Sequence, residues 1–178
     1  MAILKVLKYP DPFLKIKTNP INFNHSNTIS STANNLKQIT QDMLETMYSD
    51  NGVGLAATQV GLDLRLFVMD CSETHTQPLV FINPEIIEKT GELDAIESEE
   101  GCLSFPGVYA KITRARKITI QALNLEGQVF TEIYTGLEAR CVQHELDHLD
   151  GIVFLDYLPP VKRKLLEKKM QKHQKKVL

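Results

Sequence analysis

Three stretches of the chain carry the hydrophobic spacing of helices. Residues 28–49 place apolar and small side chains at every third or fourth position, which predicts an amphipathic helix. Residues 161–175, which follow the break at Leu158-Pro159-Pro160, predict a basic C-terminal helix. The apolar side chains of that helix are predicted to share one side: Leu165, Leu166 and Met170. Ahead of both helices, a Pro-rich segment is predicted to form one short helical turn at residues 11–15.

The third helical stretch follows Thr135 and has the clearest start signal. Thr135 and Glu138 have the spacing of a capping box, in which each side chain bonds a backbone N–H group of the other residue. Four apolar side chains are predicted to bury this helix: Leu137, Cys141, Leu146 and Leu149.

Strand patterns occupy much of the chain between these helices. The segments are rich in β-branched and aromatic residues, or they alternate between apolar and polar positions. The six predicted strands are residues 64–70, 79–83, 86–89, 94–98, 117–123 and 129–134. The last two flank the Glu126-Gly127 turn and predict a hairpin. Because no strand–helix–strand repeat is present, the predicted fold class is α+β, with mostly antiparallel sheets around the helix that follows Thr135.

Composition narrows the class of protein. A length of 178 residues, 43% of them hydrophobic and 24% charged, suits one soluble domain spanning residues 1–178. No apolar run reaches the length of a membrane span, and the first residues lack the features of a secretory signal. The cysteines, Cys71, Cys102 and Cys141, are odd in number and irregularly spaced, which favours reduced thiols over a disulfide framework. These features predict a cytoplasmic protein without a membrane partner.

The charges are distributed unevenly along the chain. Residues 161–178 contain eight Lys or Arg and one acidic residue, whereas the preceding residues carry a net charge of −9. A basic tail on an acidic body predicts a polyanionic partner for the tail. The alternative is a solvated helix whose apolar side docks on the body of the same chain.

The segment His144-Glu145-Leu146-Asp147-His148 carries the strongest chemical signal. Residues four apart on a helix lie on one face, so His144 and His148 can bind one metal ion. Glu145 is then placed beside that ion as a general base. The alternative is a helix with two surface histidines, or with two core histidines that have other partners.

Two histidines do not complete a catalytic metal site, which usually has three protein ligands. Sequence alone leaves Cys102, Cys71, Cys141 and nearby carboxylates as candidates for the third ligand, and a buried structural cysteine is the competing interpretation of Cys102. Residues 52–61 are rich in glycine and small residues. They are either a tight connection under the sheet or a loop that offers backbone N–H groups and the Gln59 amide to a carbonyl substrate.

Three segments together resemble the motifs of the peptide deformylases: GVGLAATQVG at 52–61, EGCLS at 100–104 and QHELDHLDG at 143–151. They occur in the order that the family has, and the resemblance extends over nearly the whole chain. It implies an enzyme that removes the formyl group from N-formylmethionine of nascent polypeptides and releases formate. It also implies one divalent metal ion, most often Fe(II), with Zn, Ni or Co as replacements.

The resemblance also assigns roles to individual residues. Cys102, His144 and His148 correspond to the metal ligands, and Glu145 corresponds to the catalytic acid/base. Two groups correspond to the oxyanion donors: the Gln59 amide and the backbone N–H of Leu103. Three residues correspond to the loop along which the substrate pairs as a strand: Val53, Gly54 and Leu55. Tyr109 is a departure, since some members of the family carry Arg at this position.

Helix geometry predicts the surroundings of this site. Leu137 and Cys141 are expected to line a pocket for the Met side chain, with Val53 opposite, although core packing is an equal alternative for both. Arg140 is expected at the pocket rim, near an acidic or carbonyl group of the peptide. Glu100 is a candidate for orienting a metal-bound imidazole, and the alternative is a surface acid in an acidic run.

Three further expectations complete the prediction from sequence. Arg114 is expected either to pair with Asp147 or to be a solvated residue at the start of a strand. Because the substrate is a nascent chain, the basic C-terminal helix is expected to dock on the ribosome without reading nucleic-acid sequence. Two other functions remain open: an endoprotease with the same His-Glu motif, and a ribosome-associated binding protein with a structural metal.

Overall fold

Antiparallel pairing builds both sheets of the protein. A computed structural model describes residues 2–22, 29–91 and 95–177, and the following elements belong to those residues. The three helices are α1 (Ile29–Ser49), α2 (Gly136–Leu149) and α3 (Pro160–Val177). The seven strands are β1 (Gly54–Ala56), β2 (Leu66–Met69), β3 (Leu79–Lys89), β4 (Ala95–Gly101), β5 (Tyr109–Ala115), β6 (Lys117–Leu123) and β7 (Val129–Thr135). Short 3-10 helices occur at Pro12–Lys15, Ala57–Val60 and Phe154–Tyr157.

The order of the strands confirms the predicted α+β class. One sheet has the order β1-β2-β3-β6-β7, and β4 pairs with β5 in a separate two-stranded sheet. Every pairing between neighbouring strands is antiparallel. The predicted segments 79–83 and 86–89 are one strand, β3, which shifts its register against β6 between Ile82 and Glu85. The predicted limits at Thr28 and Asp94 lie outside the described residues.

The two faces of the larger sheet pack on different helices. In β2, Phe67 and Met69 belong to the core on the α2 side, whereas Leu66 and Val68 belong to the core on the α1 side. Side chains from one strand alternate between faces, so β2 contributes to two cores. A third core lies between β5 and α3. Its buried residues include Leu14, Phe105, Ala110, Ile112, Phe154, Leu155 and Met170.

Strand β5 was not predicted from the sequence. Its inward positions are Ala110, Ile112 and Arg114, and all three are buried. A small residue and a charged residue at these positions weaken the apolar alternation that identifies a half-buried strand. Arg114 lies near the end of β5 and pairs with Asp147, so that predicted contact is confirmed and the solvated alternative is wrong.

The predicted capping box at the start of α2 is wrong. Thr135 is the N-cap residue, but its side chain makes no cap hydrogen bond. Thr135 still pairs with Lys117 in the sheet, and Gly136 enters the helix with φ of 56°. This turn directs the Thr135 side chain away from the helix N–H groups. The prediction that Leu137 is buried is also wrong, because the first turn of α2 extends beyond the sheet and leaves Leu137 47% exposed.

Helix α3 packs on the body with fewer side chains than predicted. Met170 is buried and Leu166 is half-buried against the third core, because residues four apart share one helix face. Leu165 falls on the opposite side and is 66% exposed, so its predicted place in the apolar stripe is wrong. Within the described residues, each helix is either too short or too polar to traverse a lipid bilayer.

Candidate active site

Helix α2 and the turn after β4 bring one thiol and two imidazoles together. His144 and His148 project from one face of α2, with ring centroids 5.0 Å apart. Cys102 follows the last residue of β4, and its Sγ lies 3.2 Å from Nε2 of His148. Among the described residues, these three form the one group of potential metal ligands, and all of its ligand atoms lie within 4.8 Å of one another. Cys71 and Cys141 are not part of this group.

The donor atoms of this group fit a divalent metal ion. Ligand distances of about 2.0–2.3 Å for imidazole and thiolate place two ligands of one ion up to about 4.5 Å apart. A spacing below 4.8 Å between the donor atoms therefore lets Cys102, His144 and His148 reach a shared centre with little movement. Burial lowers the pKa of His148 well below its ordinary range, which favours its neutral imidazole. Burial acts in the same direction on His144, but its hydrogen bonds with Cys102 and Glu100 outweigh burial and raise the pKa of His144. The group can thus hold a metal.

Glu100 orients one of the imidazoles. Its Oε2 atom accepts a hydrogen bond of 3.0 Å from Nδ1 of His144, which leaves Nε2 of His144 for a metal. Burial alone would raise the pKa of Glu100, but hydrogen bonds from His144 and Arg114 lower it to about 2. Glu100 is therefore an anion at neutral pH and fixes the tautomer of His144. The structure thus confirms the predicted hydrogen bond between Glu100 and one of the two imidazoles on α2, that of His144.

Glu145 lies beside this group with part of its carboxylate unused. The side chain is 4% exposed, and Oε2 has no hydrogen-bond partner within the described ranges. Burial raises the pKa of Glu145 to about 7, with His144 acting in the opposite direction. A carboxylate with this pKa can both accept and donate a proton near neutral pH.

Gly54 of strand β1 packs directly against the side chains of Glu145 and Cys141. A Cβ atom on Gly54 would lie 2.5 Å from Oε1 of Glu145 and 2.7 Å from Sγ of Cys141. A Cβ atom here would force Glu145, Cys141 or the strand to shift, because real Cβ atoms are essentially never found within 3.0 Å of another heavy atom. Tight packing is thus observed at Gly54, as expected for a closely packed connection, and the alternative of a loop that offers donors to a carbonyl substrate stays a prediction.

The two predicted oxyanion donors lie on either side of Cys102. Gln59 is buried, and its Nε2 atom donates to Sγ of Cys102 at 3.3 Å and to Oγ of Ser104 at 3.2 Å. Its Oε1 atom accepts from the backbone N–H of Ala56 at 2.9 Å, which fixes the orientation of the amide. Within the described residues, the backbone N–H of Leu103 donates to no protein atom.

An open pocket of about 730 Å³ leads to these groups. Its lining includes the predicted substrate-contact residues Val53, Gly54, Leu137, Arg140 and Cys141. Val53 is 39% exposed, and both Val53 and Leu137 present apolar surface to the pocket. Leu55 is different, because it does not line the pocket and its side chain is fully buried in the core on the α1 side.

Arg140 and Tyr109 shape the mouth of the pocket. Arg140 is half-buried and donates from Nη1 to the carbonyl oxygen of Glu99 at 3.2 Å. Tyr109 covers Gly101, where an added Cβ would lie 2.6 Å from the aromatic ring. The ring is thus held over the backbone that leads to Cys102, while 59% of Tyr109 stays exposed.

Sequence reasoning missed the support that the N-terminal segment gives to this site. The backbone N–H of Leu7 donates to the carbonyl oxygen of Gln59 at 2.7 Å, and that of Tyr9 donates to the carbonyl oxygen of Ser104 at 3.0 Å. Lys8 donates from Nζ to the carbonyl oxygen of Leu103 at 2.8 Å. These bonds connect the 52–61 and 100–104 motifs, and no hydrophobic period in residues 7–9 signals them.

Known proteins resemble this chain along nearly its whole length. The sequence model of the family described as Polypeptide deformylase matches residues 3–164. A peptide deformylase from Hamiltonella defensa is 49% identical over 98% of this chain and 96% of its own length.

Solved structures agree with this match. The crystal structure of a peptide deformylase from Legionella pneumophila has a TM-score of 0.87, with 40% identity over 98% of this chain and 96% of that one. A peptide deformylase from Ehrlichia chaffeensis, in complex with actinonin, has a TM-score of 0.84 and 34% identity over 97% of this chain and 98% of that one. With the Cys/His/His group in place and these full-length matches, the chain belongs to the polypeptide deformylase family.

Proposed function

We propose that this chain is a metal-dependent hydrolase that removes the formyl group from N-formylmethionyl peptides and releases formate. Membership of the polypeptide deformylase family supports this reaction. The observation that carries the proposal is the position of Glu145, a buried carboxylate with one unpaired oxygen beside a Cys/His/His group at the end of an open pocket.

Cys102, His144 and His148 would hold the metal in this reaction. Fe(II) is the ion we favour, with Zn, Ni or Co as possible replacements. When bound, the ion supplies an activated water and polarises the formyl carbonyl. The thiolate of Cys102 is open to oxidation, so the reduced cytoplasm is the compartment that suits this site.

Glu145 moves the proton during hydrolysis. Its carboxylate accepts a proton from the attacking water and returns it to the nitrogen of the departing methionine, so the formyl C–N bond breaks and formate and a free amine form. The Gln59 amide and the backbone N–H of Leu103 donate to the oxygen that becomes negative in the tetrahedral state. One such donor contributes about 3–4 kcal/mol to transition-state stabilisation.

The pocket would orient the peptide. The backbone of residues 53–55 offers an edge along which the substrate pairs as a strand. The methionine side chain would then enter the apolar part of the pocket between Val53, Leu137 and Cys141. Arg140 stands at the rim, where its guanidinium can meet an acidic or carbonyl group of the peptide.

A formate-release assay with a Glu145→Gln variant tests the proposed function. The wild-type protein should release formate from formyl-Met-Ala-Ser and leave an internal, unformylated peptide intact. The variant should lose about 10²- to 10⁴-fold in kcat while it retains its metal. The proposal would be refuted if the wild-type protein cleaved the unformylated peptide faster than it deformylated formyl-Met-Ala-Ser. It would also be refuted if the metal-loaded variant deformylated that peptide at the wild-type rate.

We further propose that the basic helix α3 docks this enzyme on the ribosome. Its outer side carries exposed Lys side chains together with Val161 and Leu165, which are 83% and 66% exposed. Arg163 is not available for this contact, because it pairs with Asp156 and Glu167 within the chain. Ribosomal RNA would attract the Lys side chains in a salt-dependent manner.

Co-sedimentation with ribosomes tests this docking with a matched pair of variants. Replacing Lys164, Lys168 and Lys172 by Gln should weaken ribosome binding and reduce its dependence on salt. Replacing three exposed Lys of the body by Gln, at Lys5, Lys37 and Lys89, removes the same charge and should have a smaller effect. Equal effects of the two triple variants would refute a specific role of α3.

A further inference from the structure

Arg114 joins the two parts of the chain that carry the Cys/His/His group. It lies on β5 and is 6% exposed, with its guanidinium enclosed between β4 and α2. Nε and Nη2 donate to the two carboxylate oxygens of Glu100 at 2.9 and 3.0 Å, while Nη1 donates to Oδ2 of Asp147. One guanidinium therefore holds two carboxylates from different elements in a fixed planar geometry.

Both carboxylates are next to the group that would hold the metal. Glu100 precedes Cys102 by two residues and accepts the hydrogen bond from Nδ1 of His144. Asp147 is the residue immediately before His148 on α2. Fixing these carboxylates thus fixes the position of β4, which leads to the thiol, against the helix that carries both imidazoles.

Tyr157 completes this arrangement from the outside. The Cζ atom of Arg114 lies 4.9 Å from the centroid of the Tyr157 ring, and the Tyr157 hydroxyl donates to Oδ2 of Asp147 at 2.9 Å. The aromatic face and the two carboxylates together satisfy the buried guanidinium.

We propose that Arg114 is a positioning residue for the metal: through Glu100 and Asp147 it holds Cys102, His144 and His148 in a binding arrangement and so slows the loss of the ion. This inference rests on the assignment of those three residues as ligands under the proposed function. Groups that orient metal ligands from behind typically change metal affinity by about 10- to 100-fold when they are replaced.

Three variants separate the parts of this arrangement. Arg114→Lys keeps the charge but cannot hold both carboxylates with a planar fork. Asp147→Asn leaves the contact with Glu100 in place and weakens the contacts that Arg114 and Tyr157 make with α2. Arg114→Met removes the cation and leaves Glu100 as an unpaired buried charge, which can prevent folding. The first two variants keep the proposal testable if the third does not fold.

Arg65 provides a matched control. Its Nη1 atom donates to Oδ1 of Asp150, at the end of α2, at 2.9 Å. Its Nη2 atom donates to the carbonyl oxygen of Pro84 at 3.3 Å. Like Arg114, it is a mostly buried arginine that ties a strand region to α2, but none of its hydrogen bonds reaches Glu100, Cys102 or either metal-site histidine. Arg65→Met should therefore lower stability without changing metal loss.

The experiment measures the loss of Co(II) from the full-length protein to an excess of chelator under anaerobic, reducing conditions. The thiolate-to-Co(II) charge-transfer band reports both the rate of loss and the geometry of the site. Arg114→Lys should accelerate loss by about 10- to 100-fold and alter the band, Asp147→Asn should have a smaller effect in the same direction, and Arg65→Met should match the wild type. Wild-type rates and spectra in both Arg114→Lys and Asp147→Asn would overturn the inference.

The same measurements distinguish failure of this inference from failure of the proposed function. Absence of a thiolate band in the Co(II)-loaded wild type would refute Cys102 as a ligand, and with it the basis of both proposals. A normal band without formate release from formyl-Met-Ala-Ser would refute the reaction alone, because the rate of metal loss in the variants would still measure the role of Arg114.

Discussion

Gly54 lies directly against the carboxylate of Glu145, so closely that a Cβ atom would come within 2.5 Å of Oε1. The contact connects strand β1, whose Gly54 lines the pocket, to the residue that we propose as the proton carrier. A methyl group at Gly54 would displace Glu145, Cys141 or the strand itself.

Gly54→Ala should therefore disable the enzyme without unfolding it. A displacement of about 1 Å at a reacting group can cost about 100-fold in rate, and we expect a loss of at least that size in kcat/KM for formyl-Met-Ala-Ser. Gly91→Ala is the control, because a Cβ at Gly91 would meet no atom of the described residues within 4 Å. A Gly54→Ala variant with more than half of the wild-type activity would contradict the assignment of Glu145.

Gln59→Leu should reduce kcat more than it raises KM. The variant removes a donor to the developing oxyanion, which corresponds to about 10²- to 10³-fold in kcat. Because Gln59 also donates to Oγ of Ser104, the control is Ser104→Ala, which removes that contact and keeps the amide. Steady-state kinetics on formyl-Met-Ala-Ser compare the two variants, and equal losses would mean that Gln59 acts only through the packing around Ser104.

Arg140 should influence which residue is preferred after methionine. Its guanidinium forms no ion pair within the described residues, so its charge is available to the peptide at the pocket rim. Arg140→Gln should lower kcat/KM for formyl-Met-Glu-Ser by roughly two- to fivefold, which is the range of an exposed ion pair, and leave formyl-Met-Ala-Ser nearly unchanged. Identical changes for both peptides would place Arg140 outside the contact with this side chain.

Asp70 should make the stability of the fold depend on pH. Its buried carboxylate accepts hydrogen bonds from the backbone N–H and hydroxyl of Ser72, the hydroxyl of Tyr48 and the backbone N–H of Gln77. Burial alone would raise the pKa of Asp70, but the hydrogen bonds, led by that from the Ser72 side chain, hold it below its ordinary value. A depressed pKa in the folded state stabilises the protein above the unfolded pKa of about 4, and this contribution disappears as the pH falls through the lower folded pKa.

Urea unfolding of wild type and Asp70→Asn across this range measures the effect. At about pH 7 the variant should be less stable by about 1.5–3 kcal/mol, the range for hydrogen bonds to a charged group. The difference should shrink progressively below about pH 4, as Asp70 becomes protonated in the wild type. A difference that does not change with pH would show that the charge of Asp70 is not responsible.

Sequence reasoning predicted the helix with His144 and His148 because residues four apart on a helix share a face whatever surrounds them. It left Cys102 open against Cys71 and Cys141, because only the pairing of β4 with β5 brings the turn after β4 to that helix, and β5 was not predicted. The inward face of β5 contains Arg114. From sequence alone an arginine is expected at the surface, and its burial can be predicted only when its carboxylate partners are known. The direction of the Thr135 side chain could not be predicted either, because it depends on the backbone φ of Gly136, which the sequence does not give.

The support that Leu7 and Tyr9 give to Gln59 and Ser104 has a consequence for the synthesis of this enzyme. The residues that build the reaction centre extend from the first ten positions to His148, and Met170 closes the core beneath Phe105. A copy still emerging during translation lacks these late segments and has no working centre. Activity is therefore gained only after synthesis has passed Met170 and these segments can pack together.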